Sequence, residues 1–186
     1  MTLKSTEETI MQTVTSLDIR TITTEEPLSV CFVCLGNICR SPTAEGVFQH
    51  LVNKNGFSSL LEVDSAGTAA YHVGEPANSK SRLIAEQNGV TLNSKARKFE
   101  YPDLEYFDLV IAMDKENHRD LLRLDRKGQF RDKIFLLRDF DPVPGDGEVP
   151  DPYYGGLNGF ELVYEIVLRS CESLLDTVRP HLKNGS

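Results

Sequence analysis

The segment Cys34-Leu-Gly-Asn-Ile-Cys-Arg40-Ser41 places a cysteine and an arginine six positions apart, on either side of a glycine and an asparagine. Gly36 and Asn37 accept left-handed backbone geometry, so a tight loop here can turn several N–H groups inward to form a nest for a tetrahedral oxyanion. Arg40 can close the nest because its planar guanidinium binds two phosphate oxygens at once. The predicted phosphate-binding residues are Leu35, Gly36, Asn37, Ile38, Cys39 and Arg40.

Cys34 would lie at the base of this loop, close to the inward N–H groups and to Arg40. Such surroundings favour the thiolate form of a cysteine, and a thiolate is a nucleophile. Ser41 can donate a hydrogen bond to the sulfur and stabilise it as a leaving group. A cysteine is often only a buried, inert residue, but among the four cysteines Cys34 alone has an arginine six positions later. The pattern therefore predicts phosphoryl transfer to the sulfur of Cys34.

This loop lies between a predicted strand and a predicted helix. Residues 28–34 are apolar almost throughout, which is typical of a buried strand in a parallel sheet. Pro42 suits the first turn of a helix, and Ala44, Val47 and Phe48 then recur at helical spacing. Ligands of open parallel sheets bind at the carboxyl ends of the strands, where helix N-termini favour anions. The loop is therefore expected at that edge of the sheet.

The rest of the chain alternates strands with helices. Further strands are predicted for residues 60–65, 107–113 and 133–137, and further helices for residues 79–88, 115–124 and 160–178. Regular alternation favours a parallel sheet, because each parallel crossover is made by a helix. The predicted fold class is α/β, with three layers: a four-stranded, mainly parallel sheet with helices on both faces.

Charge and cysteine content exclude several classes of protein. The chain has 186 residues and a formal net charge of −8. An acidic surface repels nucleic acid and anionic membranes, so neither is expected as a partner. The cysteine spacing fits neither a zinc site nor a disulfide framework. No metal and no cofactor are expected, and reduced thiols favour a cytoplasmic location.

Residues 1–27 are expected to form a flexible N-terminal extension, and residues 28–186 the single folded domain. The extension holds eight threonines and five acidic residues. So polar a segment buries little apolar surface to offset the entropy that ordering would cost. It fits neither a secretory signal nor a transit peptide.

Phosphoryl transfer also needs a proton donor for the departing alcohol and a base for the incoming water. The candidate is Asp151, in the segment Asp151-Pro-Tyr-Tyr154. The following proline restricts Asp151 to extended geometry, which projects the carboxyl away from the loop. An ordinary Asp-Pro turn would show the same pattern, as at Asp141 in the same loop. The two tyrosines favour the catalytic interpretation, because they can stack on an aromatic substrate.

From about Leu28 to Pro180 the sequence resembles the low-molecular-weight protein tyrosine phosphatases. The resemblance rests on residues 33–42, Asp64-Ser-Ala-Gly67, Met113-Asp114 and Asp151-Pro-Tyr-Tyr-Gly155. It implies hydrolysis of protein phosphotyrosine and small aryl phosphates through a phosphocysteine intermediate, without a metal ion. The implied catalytic residues are Cys34, Arg40 and Asp151, and the implied supporting residues are Asn37, Ser41 and Ser65.

Other positions follow from the same likeness. Cys39 resembles a neighbouring cysteine that can bridge to the nucleophile on oxidation and so protect it. Asp114 follows the third predicted strand at the active edge, where a salt bridge and a catalytic role both stay open. The expected substrate slot is formed by Ile38, Tyr71, Tyr153 and Tyr154.

Two positions depart from the family pattern. Tyr71 stands where a tryptophan often lines the slot, and a tyrosine stacks over less area. Ser94 stands where many members place a histidine in the network beneath the loop, so this network is expected to be wired differently. The four histidines have no partner spacing and are interpreted as surface residues, with His72 the one that could touch substrate.

Three further functions share this loop. An arsenate reductase of similar fold needs two further cysteines on a mobile segment, whereas only Cys171 is left here, in a predicted buried helix. Protein-arginine phosphatases tend to carry threonine where this chain has Ile38, and an apolar residue suits an aryl ring better. A phosphate-binding module without turnover would need neither Cys34 nor Asp151. Phosphotyrosine hydrolysis is therefore the preferred prediction.

Overall fold

Strands and helices alternate along the chain in the computed structural model, which describes residues 13–183. In chain order the elements are β1 (Leu28–Cys34), α1 (Arg40–Lys54), β2 (Leu61–Gly67), α2 (Ser79–Gln87), α3 (Tyr101–Tyr106), β3 (Leu109–Ala112), α4 (Lys115–Leu124), β4 (Ile134–Leu136) and α5 (Leu157–Val178). The alternation is the one that the apolar pattern predicts, with α3 as an addition.

The four strands form one parallel sheet in the order β2-β1-β3-β4. β1 has a neighbour on each side, and all seven of its residues are buried, which explains its apolar sequence. The register pairs Cys34 with Gly67, and Val33 with both Ala66 and Ala112. The predicted α/β class is confirmed, and the carboxyl ends of β1 and β2 meet beside Cys34.

Helices cover both faces of this sheet. On one face α1, α2 and α5 enclose a core in which Phe32, Phe48 and Val167 are fully buried. On the other face α3 and α4 contribute Leu104 and Leu121 to a second, smaller core. Among the helices of residues 13–183, none combines the length and the apolar character needed to cross a membrane.

The short helix α3 is absent from the predicted elements. Its six residues bury only Leu104, so no helical periodicity marks it. Instead, the backbone N–H of the cap residue Glu100 donates to the Asp103 carboxylate at 2.7 Å, and Pro102 lies in the first turn. The helix is thus defined by its cap and its proline, and a search for an apolar face cannot find it.

Strand β3 is shorter than its apolar run. The run predicts a strand over residues 107–113, whereas β3 spans Leu109–Ala112. Phe107 and Met113 are both buried, but they lie outside the ladder. The apolar run therefore marks the buried residues correctly, but it extends beyond the residues that pair in the sheet.

The N-terminal extension is packed against the domain from residue 13 onwards. The Val14 N–H donates to the Asp139 carbonyl at 2.7 Å, and Ile22 exchanges backbone hydrogen bonds with His181 and Lys183 at 2.9 and 3.0 Å. Leu17 is buried and Ile22 fully so. The expected flexible tail is therefore wrong for residues 13–27, where a few apolar side chains reach the core despite the polar composition. Residues 1–12 of the expected tail lie outside the described residues.

A buried carboxylate organises the loop between β4 and α5. Asp141 is fully buried and accepts hydrogen bonds from Arg169 at 2.7 and 2.9 Å, while Arg138 Nε lies 3.0 Å from Asp141 Oδ2. Arg138 donates in turn to the carbonyls of Val143 and Glu148. Burial acts to raise the pKa of Asp141, but Arg169, the Val143 N–H and Arg138 outweigh it and lower the pKa. The loop therefore closes around an ionised aspartate.

Replacing Ile22 tests the docking of the extension. Ile22→Ala removes a fully buried side chain and should lower the free energy of unfolding by about 2–4 kcal/mol. The measurement is urea denaturation followed by far-UV circular dichroism, since the chain has no tryptophan. Thr24→Ala, at an exposed position of the same segment, is the control and should change little. Equal stability of both variants and the parent would contradict the docking.

Replacing Asp141 tests the buried ion pairs. Asp141→Asn keeps the shape but leaves Arg138 and Arg169 without a counter-ion, so it should cost about 3 kcal/mol at pH 7. Because folding lowers the pKa of Asp141, its contribution is present above the unfolded value and is lost as pH falls through the folded value. The deficit of the variant should therefore shrink below about pH 4. Asp18→Asn, on the exposed surface, is the control, and a deficit that stays constant down to pH 2 would disprove this account.

Candidate active site

A cleft of about 300 Å³ opens at the carboxyl end of β1. It brings together Cys34, Arg40 and Asp151, which are up to 117 positions apart in the sequence. The full lining is Cys34, Leu35, Gly36, Ile38, Cys39, Arg40, Tyr71, His72, Asp151, Tyr153 and Tyr154. Four other predicted site residues do not line the cleft and lie behind it: Asn37, Ser41, Ser65 and Asp114. The cleft thus contains the three predicted catalytic residues and the four predicted slot residues.

The loop of residues 35–39 wraps around the sulfur of Cys34. Asn37 has a φ of 56°, which lies in the left-handed region, and its backbone N–H donates to Cys34 Sγ at 3.3 Å. β2 holds the start of the loop, because the N–H groups of Thr68 and Ala69 donate to the carbonyls of Cys34 and Leu35 at 2.8 and 3.0 Å. α1 begins directly afterwards at Arg40. The positive end of its dipole therefore faces the sulfur.

The side chain of Asn37 connects the loop to its surroundings. Its Nδ2 donates to Ser41 Oγ at 2.8 Å and to Ser65 Oγ at 2.9 Å, and its Oδ1 accepts from the Arg97 backbone N–H at 3.0 Å. Ser41 Oγ also lies 3.0 Å from Cys34 Sγ. The hydroxyl proton of Ser41 has two acceptors within reach, the sulfur and, at 3.4 Å, the Ala66 carbonyl, and the sulfur is the nearer of the two.

Arg40 is held in place from three sides. Its Nη1 donates to Asp114 at 2.6 Å and to the Val149 carbonyl at 3.0 Å, and its Nη2 lies 3.6 Å from Asp151 Oδ2. Burial acts to lower the pKa of Arg40, but Cys34, Asp114 and Asp151 outweigh it and raise the pKa. Asp114 therefore forms a salt bridge with the predicted phosphate clamp, which is one of the two roles that the sequence leaves open.

Asp151 stands at the mouth of the cleft. Its side chain is 49% exposed, and its Oδ1 accepts from the Tyr153 backbone N–H at 3.1 Å. The rings of Tyr153 and Tyr154 pack edge to face with centroids 4.8 Å apart. Tyr154 is 97% exposed and Tyr71 is 75% exposed, so both rings have a face free for a ligand. The acid and the aromatic side chains thus border one opening.

His72 lines this cleft, and it is the one histidine that the sequence singles out as able to touch a substrate. Its Nδ1 lies 2.9 Å from Glu75 Oε2, and its ring packs 6.1 Å from the ring of Tyr153. A side chain at Gly36 would meet His72 Cδ2 at 3.0 Å, so the imidazole lies directly against the loop. The available signal was the position of His72 next to Tyr71, a predicted slot residue.

Glu45 is a residue beneath the loop that sequence reasoning does not identify. It is a partly buried residue of α1 whose carboxylate accepts a hydrogen bond from Ser65, and Ser65 is itself bonded to Asn37. Burial raises the pKa of Glu45, while hydrogen bonds from Ser65 and Ser94 act against the rise. Ser94 thus lies close to Glu45, and the hydrogen bonds that join Glu45 to the network beneath the loop run through Ser65 and Asn37. The signal in the sequence was a carboxylate directly after the buried Ala44.

Burial favours the protonated thiol form of the three remaining cysteines. Burial raises the pKa of Cys39 to about 12, and burial also raises the pKa values of Cys31 and Cys171. All four cysteines are free thiols. Within residues 13–183, no group of three His, Cys, Asp or Glu side chains is placed to hold a metal ion.

The fold and the cleft together define the class of protein, a phosphatase built on a parallel α/β sheet. The sequence profile of the family described as "Low molecular weight phosphotyrosine protein phosphatase" matches residues 29–184. The chain therefore belongs to this family, and the family and the enzyme class that the sequence predicts are confirmed.

Individual relatives cover nearly the same range. The low molecular weight protein-tyrosine-phosphatase of Streptomyces coelicolor is 44% identical over 83% of this chain and 95% of its own length. A crystal structure of a protein tyrosine phosphatase from Entamoeba histolytica is 40% identical, covers 82% of this chain and 97% of its own, and superposes with a TM-score of 0.78. A Drosophila arginine phosphatase is 34% identical, covers 78% of this chain and 94% of its own, and has a TM-score of 0.74.

Two substitutions of Asn37 separate its backbone role from its side-chain role. Asn37→Gly keeps the left-handed conformation, whereas Asn37→Ala must pay about 1–2 kcal/mol more to adopt it. Both variants lose the bonds to Ser41 and Ser65, so both should lose about 100-fold in kcat/KM. Urea denaturation and the hydrolysis of p-nitrophenyl phosphate measure the two effects. Equal stability of the two variants, or full activity of Asn37→Gly, would show that one of these roles is absent.

Proposed function

We propose that this enzyme hydrolyses phosphotyrosine in proteins, and small aryl phosphates, through a phosphocysteine intermediate and without a metal ion. The observation that carries the proposal is the meeting of Cys34, Arg40 and Asp151 in one cleft with aromatic side chains at its mouth. A nucleophile, an anion clamp and a proton donor are the three groups that the reaction needs.

In the first step the Cys34 thiolate attacks phosphorus in line with the phenolic oxygen. The S–P bond forms, the P–O bond to the tyrosine breaks, and the carboxyl proton of Asp151 moves to the departing oxygen. The Asn37 N–H, 3.3 Å from the sulfur, and the guanidinium of Arg40 supply positive charge to the transferring group. These groups take the place of a metal ion in the proposal.

In the second step a water molecule attacks the phosphocysteine. Asp151, now a carboxylate, accepts a proton from the water, the O–P bond forms and the P–S bond breaks, which leaves inorganic phosphate and the thiolate. Ser41 Oγ lies 3.0 Å from the sulfur and stabilises it as the leaving group. Because Asp151 must start protonated while Cys34 is ionised, the rate should be highest at mildly acidic pH.

The side chains that line the walls of the cleft favour an aryl substrate. Tyr71 and Tyr153 can stack on a phenyl ring, and Ile38 adds an apolar surface next to the loop. The likeness to a Drosophila arginine phosphatase raises phosphoarginine as a second candidate. Ile38 offers no hydroxyl group to bind a guanidinium, so we infer a preference for phosphotyrosine.

Arsenate reduction and phosphate binding without turnover find less support. Cys171, the one cysteine outside residues 31–39, is fully buried, and its sulfur lies 3.9 Å from the Ala44 carbonyl inside the core. It is poorly placed to relay a disulfide, as an arsenate reductase would need. A module that only binds phosphate would have no use for Asp151 at the cleft mouth. We also propose that Cys39 protects Cys34 under oxidation, and that the enzyme acts on phosphoproteins in the cytoplasm.

Replacing the nucleophile and the acid tests this function. Cys34→Ser should abolish turnover of phosphotyrosine peptides, because the hydroxyl group is not ionised. Asp151→Asn should lower kcat by about 10²–10³-fold on phosphotyrosine, and by less on p-nitrophenyl phosphate, whose leaving group needs less protonation. Asp146→Asn, an exposed acid of the same loop, is the matched control and should retain full activity.

A substrate panel separates phosphotyrosine hydrolysis from the competing activities. The parent enzyme should hydrolyse phosphotyrosine, should leave phosphoserine and phosphoarginine largely intact, and should not reduce arsenate. Stopped-flow mixing with p-nitrophenyl phosphate should show a burst of p-nitrophenol that approaches the enzyme concentration, because we expect hydrolysis of the phosphocysteine to be the slower step. Faster turnover of phosphoarginine, or an Asp151→Asn variant as active as the parent, would contradict the proposal.

A further inference from the structure

A second groove, of about 330 Å³, lies between helix α1 and residues 89–94, the segment that follows α2. It shares no lining residue with the active-site cleft. Its lining includes Pro42, Glu45, Gln49, Leu92, Asn93 and Ser94, and we call it the α1 groove. Neither step of the proposed phosphatase reaction uses this groove.

Glu45 is the acidic residue of the α1 groove, whose lining also includes His50, and it forms no salt bridge within residues 13–183. The charge of Arg97 acts to lower the pKa of Glu45, but Arg97 pairs with Asp64 at 2.9 Å and with Asp103 at 3.1 Å. Within the described chain, the carboxylate accepts a hydrogen bond from the Ser65 hydroxyl group, and Ser94 also lines the groove. When the neighbours of a partly buried carboxylate are neutral, a bound cation stabilises its ionised form more than it would if a counter-ion were already present.

The remaining lining specifies what kind of cation fits. Gln49 and Asn93 contribute amide groups to the lining, while Pro42 and Leu92 contribute apolar surface. A planar cation with several N–H donors can bind a carboxylate through two hydrogen bonds and still reach neighbouring oxygens. A guanidinium or amidinium group on a short apolar stem meets both requirements.

Hydrogen bonds connect Glu45 to the nucleophile. Asn37 Nδ2 donates to both Ser65 and Ser41. Because Asn37 occupies an acceptor position of Ser65, the hydroxyl proton of Ser65 points on to Glu45, which must therefore act as an acceptor. Ser41 completes the connection, 3.0 Å from Cys34 Sγ. A cation beside Glu45 favours the ionised carboxylate, which can only accept hydrogen bonds. It therefore stabilises the chain of hydrogen bonds that runs from Glu45 to the sulfur.

We propose that the α1 groove binds a small guanidinium or amidinium cation with Glu45 as its counter-ion, and that the bound cation raises the rate of the enzyme by fixing the hydrogen bonds beneath the loop. The site goes beyond the proposed function, since its occupancy can be measured without any substrate.

Isothermal titration calorimetry with butylguanidinium tests the site. Butylurea, a neutral molecule of the same shape, is the control. Inorganic phosphate is kept saturating so that the active-site cleft is occupied. Butylguanidinium should bind one site per chain with a Kd of about 1–10 mM, and butylurea should bind at least about ten times more weakly because it lacks the charge. Equal binding of the two molecules, or no binding of butylguanidinium, would overturn the proposal.

Variants locate the binding and its effect. Glu45→Gln should weaken butylguanidinium binding by about tenfold or more, whereas Glu172→Gln, which removes an exposed carboxylate of α5, should leave it unchanged. Asn93→Trp fills the opening without altering Glu45 and should also abolish binding, so the test does not depend on the folding of a single variant. Unchanged binding in both groove variants would place the cation elsewhere and reject the site.

The kinetic arm measures the coupling. Butylguanidinium should raise kcat/KM of the parent enzyme on p-nitrophenyl phosphate by about two- to fivefold, a coupling within the usual range for linked sites, and should not raise that of Asn93→Trp. Binding without a change in rate would overturn the coupling. If the parent enzyme lacks phosphatase activity, the proposed function fails while the titration still decides the site.

Discussion

Asn37 has to meet two demands that few residues can meet together. Its φ of 56° turns a backbone N–H towards the sulfur of Cys34, and this conformation is costly for most side chains. Its side chain donates to Ser41 and Ser65 and accepts from the Arg97 N–H. Glycine would adopt the backbone without supplying any of these bonds, and aspartate would supply acceptors where donors are needed. Asparagine satisfies both demands, and the inward face of the loop depends on it.

The sheet decides where this loop can lie. The parallel register puts Gly67 beside Cys34, and the two N–H groups that follow, on Thr68 and Ala69, hold the start of the loop. A side-chain carbon at Gly67 would stand 2.7 Å from the Leu35 carbonyl oxygen, which is closer than atoms can approach. Strand β2 therefore contributes to the site as well as to the core, because the glycine at its end leaves room for the backbone of the loop.

The parts of the site that sequence reasoning finds are local ones. Cys34 and Arg40 lie within one short segment, and the strand before them is apolar because both faces of the sheet are covered. This reasoning does not find Glu45, because its hydrogen-bond partner Ser65 lies 20 positions further along the chain. The docking of residues 13–27 is missed for a related reason. The average polarity of the segment is high, yet a fully buried residue such as Ile22 can hold it in place. Composition averages over positions, whereas docking depends on single side chains and the space that receives them.

Arg40 shows how distant parts of the chain come to share one geometry. Asp114 caps helix α4 and at the same time accepts from Arg40 at 2.6 Å, so the end of β3 fixes one side of the guanidinium. The Val149 N–H donates to the Met113 carbonyl, and the Val149 carbonyl accepts from Arg40, so the long loop is fixed to the same strand end. Asp151 follows two residues later. The backbone of Val149 therefore sets the distance between Arg40 and Asp151, and a shift of the loop would move Asp151 relative to Arg40 without altering either residue.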